Sequence, residues 1–61
     1  MKRRDLVSWL KKHGTEFKEG GGHTKAYRGE RQSTVPRHTE IDKELAKEIC
    51  SQLGIKKPPF N

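Results

Sequence analysis

Hydrophobic side chains recur at helical spacing in two places along the chain. Leu6, Val7 and Leu10 fall on one side of residues 1–14, with Trp9 flanking them and Lys11 and Lys12 facing water, which predicts an amphipathic helix. Asp5 suits its first turn, Lys12 and His13 its last, and Gly14 is a natural stop. Leu45, Ala46, Ile49 and Leu53 form a second stripe with Cys50 beside it. Asp42 stands where an N-cap is needed, Gly54 ends the helix, and Ile55 can fold back as the apolar contact of a Schellman turn. Between the stripes the period shortens. Residues 15–19, carrying Phe17, read as a brief edge strand, residues 23–28 as a second strand and residues 32–36 as a third. Arg28, Gly29, Glu30 and Arg31 supply a hairpin turn, and Pro36, lacking a ladder donor, closes the last strand. Alternation puts His23, Lys25 and Tyr27 on one face of the sheet and Thr24 and Ala26 on the other. The expected fold is α+β in the order α-β-β-β-α: a three-stranded antiparallel sheet with two helices on one face and the other face open. Residues 1–55 make one domain, and residues 56–61, with Pro58 and Pro59, read as a C-terminal tail.

Composition narrows what such a fold can do. A domain of 61 residues with 28% hydrophobic and 36% charged residues has a small core and no room for a deep cavity, so its ligand lies on its surface. Fourteen Lys and Arg against eight Asp and Glu leave a charge of +6, which points first to nucleic acid. No apolar run approaches the ~18 residues of a membrane span and no signal segment is evident, so a cytoplasmic protein without membrane contact is expected. Cys50 is the sole cysteine, which rules out an internal disulfide. The carboxylates are scattered, and His13, His23, His38 and Cys50 do not match zinc spacings, so neither a metal nor another cofactor is expected.

The chemistry concentrates at Gly20-Gly21-Gly22-His23. Glycines let the main chain approach a bulky anion, and an imidazole moves protons near neutral pH. Cleaving RNA needs little more, because the ribose 2′-hydroxyl is a built-in nucleophile. Its proton must be taken, the charge on the phosphorus stabilised and the leaving 5′-oxygen protonated. His23 is the candidate acid or base. The amides of Gly21 and Gly22, with Lys25, Arg28, Arg31 and Arg37, are candidates for holding the phosphate. Tyr27 either stacks on an unpaired base or turns inward to extend the core. His38 is a second proton-transfer group, a phosphate contact or simply a loop residue. Taken alone, His23 reads first as a solvent-facing hairpin histidine, since a single histidine is weak evidence for catalysis.

One family matches this pattern. Met1-Lys2 with Leu6, Trp9-Leu10 and Gly14, the glycine-flanked His23, Val35-Pro36-Arg37-His38, Glu40-Ile41, and Ile49 with Gln52-Leu53-Gly54 together resemble the HicA toxins of bacterial HicA-HicB toxin-antitoxin systems. The resemblance implies a double-stranded-RNA-binding-domain-like fold, ribosome-independent cleavage of single-stranded mRNA, and an essential histidine that maps onto His23. It also implies a HicB-like antitoxin covering the active face, with DNA contacted only indirectly through that partner. The family often carries Gly-Ser before the histidine where this chain has glycines, so no serine hydroxyl acts there. Its second strand usually carries larger aliphatic residues than Thr24 and Ala26. The expected function is a metal-independent endoribonuclease toxin, the alternative a non-catalytic RNA-binding module of the same fold. A small DNA-binding or interaction protein using its helices is a further rival.

Overall fold

The computed structural model describes residues 1–59. Its elements run α1 (Arg3–Lys12), β1 (Glu16–Gly20), β2 (His23–Arg28), β3 (Arg31–Val35) and α2 (Lys43–Gln52), the order expected from the hydrophobic pattern. The strands form an antiparallel meander, β1-β2-β3, joined by two tight turns. Two residues, Gly21 and Gly22, make the first turn, and only Gly22 adopts positive φ, +91°. That turn pairs Gly20 with His23 and fixes the register of every residue behind it.

One face of the sheet carries the core. Ala26 and Val35 point into it and meet Leu6 and Leu10 of α1, Ala46, Ile49 and Cys50 of α2, and Ile41, Leu53 and Ile55 from the connections. Thr24 and Ser33 are buried on the same face, and the Ser33 hydroxyl donates to the Gln52 side chain. Phe17 is half-buried at its margin.

Both helices stop the same way. At the end of α1, Gly14 N–H reaches the Lys11 carbonyl and Thr15 N–H the Leu10 carbonyl. At the end of α2, Gly54 N–H reaches Ser51 and Ile55 N–H reaches Cys50. Each pair is a Schellman motif closed by a glycine at positive φ, and Ile55 is buried as such a motif favours. At the other end of α2, Asp42 holds the N-cap position in extended conformation, though its carboxylate makes no capping bond.

The first residues depart from expectation. Instead of continuing α1 back to Met1, they run alongside residues 39–41: Arg3 N–H donates to the Thr39 carbonyl and Ile41 N–H to the Met1 carbonyl, each at 2.8 Å. A two-sided ladder satisfies main-chain groups that a frayed first turn would leave to water. The expected tail also differs. Trp9 Nε1 donates to the Lys56 carbonyl at 3.1 Å and Pro58 is fully buried, so the chain from Lys56 to Pro59 lies back on α1. The remainder of the expected tail, Phe60 and Asn61, lies outside the described residues.

Candidate active site

The face of the sheet away from the helices is open, and the register states what stands on it. His23 lies opposite Gly20, Lys25 between Lys18 and Thr34, and Tyr27 between Glu16 and Gln32. His23 and Lys25 are exposed and Tyr27 is half-buried. Tyr27 is held against the sheet by Lys18, whose Nζ sits 5.8 Å from the ring centroid. Lys18 was not among the residues singled out from sequence. The signal was there: a two-residue turn at Gly21 and Gly22 places Lys18 directly across from Lys25. Like charges paired across strands cost stability unless an anion lies over them, and among the described residues neither lysine has a carboxylate partner.

Beneath His23, on the helix side, a polar network ties three elements together. The Thr24 hydroxyl, 1% exposed, donates to the Glu19 carboxylate at 2.9 Å and accepts from Arg3 Nη2 at 2.8 Å. Arg3 Nε donates to the Pro36 carbonyl and Arg37 Nη2 to Glu19 at 2.7 Å. The network joins α1, both strands of the glycine hairpin and the segment after β3, so the residue next to His23 is anchored from every side. The Thr24 hydrogen bond lowers the Glu19 pKa below its ordinary value, with some loss of hydration opposing it and Arg37 adding to the fall. A depressed carboxylate stabilises the fold above its unfolded pKa and loses that contribution as pH drops through the folded one. The stability advantage of wild type over Glu19→Gln, followed by urea unfolding, is therefore expected at neutral pH and absent in acid below the carboxylate range. An unchanged difference at both pH values contradicts the linkage.

The other expected phosphate ligands divide. Gly21, Gly22 and Lys25 lie together with His23. Arg28 does not: two residues after Ala26, it points to the helix side, where Nε donates to the His13 carbonyl at 2.8 Å and Nη1 to the Leu53 carbonyl at 3.1 Å. Arg31, its cross-strand partner, shares that side, with its guanidinium packed where a Cβ on Gly54 would stand. Arg37 is at the correct end of the sheet but is paired with Glu19. His38 follows it in an exposed connection beyond Val35, which itself pairs with Thr24, so His38 and His23 belong to the same end of the sheet.

Cys50 is 1% exposed and burial raises its thiol pKa, an inert setting for a nucleophile. Among the described residues no group of three His, Cys, Asp or Glu stands close enough to hold a metal, and no helix is long and apolar enough to cross a membrane. A concavity of about 550 Å³ between α1 and the returning chain is lined by Asp5 and Glu40 as well as lysines, a mixed surface poorly suited to a polyanion.

A model of the family described as "HicA toxin of bacterial toxin-antitoxin" matches residues 3–55. The chain is 45% identical over 58 residues to a "Probable mRNA interferase HicA 2" of Photorhabdus laumondii subsp. laumondii, covering 92% of this chain and 100% of that protein. Among solved structures, a chain of the crystal structure of the E. coli HicAB toxin-antitoxin complex superimposes with a TM-score of 0.79 at 36% identity, covering 87% of this chain and 96% of that one.

Proposed function

The chain belongs to the HicA toxin family of bacterial toxin-antitoxin systems, and on that footing we propose that it is an endoribonuclease that cleaves mRNA without a metal or a ribosome. His23 performs the acid–base step, and a HicB-type antitoxin neutralises the enzyme. The observation that carries this reading is the position of His23: an exposed imidazole on the open face, next to a cross-strand lysine pair and opposite a residue with no side chain.

The chemistry follows from that placement. Lys18 and Lys25 attract the RNA backbone and offset the charge that builds on the phosphorus, a role for fixed cations that needs no metal. The amides of Gly21 and Gly22 can add donors at the same spot. His23, two residues from Lys25 along one face, takes the 2′-hydroxyl proton or returns one to the leaving 5′-oxygen. Tyr27, stiffened by Lys18, offers a ring on which an unpaired base can stack, which suits single-stranded RNA. An antitoxin that lay over this face would exclude the substrate, and any DNA contact would come through that partner. Action on mRNA places the protein in the cytoplasm.

The test is direct. Purified protein incubated with a synthetic mRNA, without ribosomes and with excess chelator, is expected to cut the strand, and the addition of its HicB-type partner to stop the cutting. RNA that is bound yet stays intact favours the non-catalytic RNA-binding module. Cutting that the chelator abolishes removes the metal-independent mechanism.

A further inference from the structure

We infer that the missing side chain at Gly20 is a substrate-binding feature: the bare main chain opposite His23 is the seat of the RNA sugar-phosphate backbone. The inference rests on the catalytic reading of His23.

Glycine is kept in folded proteins for its conformation or for its lack of bulk. Gly14, Gly22, Gly29 and Gly54 all have φ between +63° and +91°, a region that penalises any other residue. Gly20 does not; it is an ordinary residue of β1, paired with His23. Crowding within the chain does not require it either. A Cβ at Gly54 would come within 3.0 Å of the Arg31 guanidinium, whereas a Cβ at Gly20 meets nothing within 4 Å. Glycine in a strand weakens it relative to alanine, and a strand glycine often marks close approach by a ligand. Gly21 also lacks a positive φ, but it sits in the turn itself, where its freedom eases the chain reversal.

What a side chain at Gly20 would obstruct is therefore something outside the chain. Two residues after Lys18, the position faces the open side, beside the imidazole and at the end of the cross-strand lysine pair. Cations and a proton-transfer group around an uncovered strip of backbone match a phosphodiester flanked by ribose. The hollow lets the scissile phosphate approach the sheet closely enough for His23 to reach the 2′-hydroxyl, a distance on which rate depends steeply.

Gly20→Ala and Gly20→Val test this, with thermal unfolding, RNA cleavage, and inhibition by the antitoxin measured on each. Both variants are expected to melt at or above the wild-type temperature, while cleavage falls by about tenfold for alanine and about a hundredfold for valine, the order expected of a misplacement near one ångström. Full activity in Gly20→Val overturns the inference, and does so even if that variant escapes the antitoxin, which would assign the glycine to the protein interface instead. A melting temperature that drops in step with activity also overturns it, by giving the glycine a folding role. His23→Ala separates the levels. If that variant is inactive and Gly20→Val is fully active, only the seat is lost; if His23→Ala still cleaves, the catalytic reading itself fails.

Discussion

Replacing His23 by alanine is expected to reduce RNA cleavage by about 100- to 10,000-fold, the span a positioned acid or base contributes, while moving the melting temperature little. The two halves of that expectation come from one fact. His23 pairs with Gly20 through its main chain, but its side chain is exposed and among the described residues has no hydrogen-bond or ion-pair partner, so the fold does not draw on the ring. Its neighbours, in contrast, are fixed: Thr24 is held by Glu19 and Arg3, and Gly20 is paired across the turn. The ring is thus delivered to the open face by a rigid base. Single-turnover cleavage by wild type, His23→Ala and His23→Gln, each confirmed as folded by circular dichroism, decides the matter. If His23→Ala cuts within about threefold of wild type, well short of an acid–base contribution, the ring is a hairpin residue and nothing more.

Arg28→Met is expected to do the reverse, lowering stability by about 2 to 4 kcal/mol, or roughly 15 to 30 °C in melting temperature for a domain this small, with no direct effect on RNA contacts. A single guanidinium reaches the His13 carbonyl at the end of α1 and the Leu53 and Gly54 carbonyls at the end of α2. The Schellman motifs satisfy the carbonyls one turn further in, which leaves these last acceptors to Arg28. A cation at the negative ends of two helix dipoles gains from both. Methionine keeps most of the stem packing but abandons three acceptors, two of them at part-buried bonds. Urea unfolding of Arg28→Met and Arg28→Lys measures the loss, with lysine expected to fall between methionine and wild type because it keeps the charge without the fork. A methionine variant as stable as wild type would falsify the clamp.

The same two residues mark how far the chain could be read in advance. Helical stripes and strand alternation were sufficient for the element order, for the two-layer arrangement and for placing His23, Lys25 and Tyr27 on the face away from the helices. Parity also governs Arg28, which shares the side of Thr24 and Ala26, but charge alone made it look like a phosphate ligand. Lys18 needed one further step, the cross-strand register, which follows only once Gly21 and Gly22 are taken as a two-residue turn. The ladder between the first residues and Thr39 to Ile41 left no trace in the side chains, since it is built from main-chain groups nearly 40 residues apart. The docking of Lys56 and Pro58 was hidden for a similar reason: a carbonyl accepting from an indole has no composition signal, and proline pairs read first as chain breaks.

Trp9, the sole tryptophan, lies with its ring 4.5 Å from that of His13 and its N–H on the Lys56 carbonyl. Indole emission shifts with the polarity around the ring, so this contact is a built-in fluorophore reporting whether the segment from Lys56 to Pro59 is seated on α1. Because α1 packs on the side of the sheet opposite His23, an optical titration of folding can be followed through that signal with RNA or an antitoxin already occupying the other side.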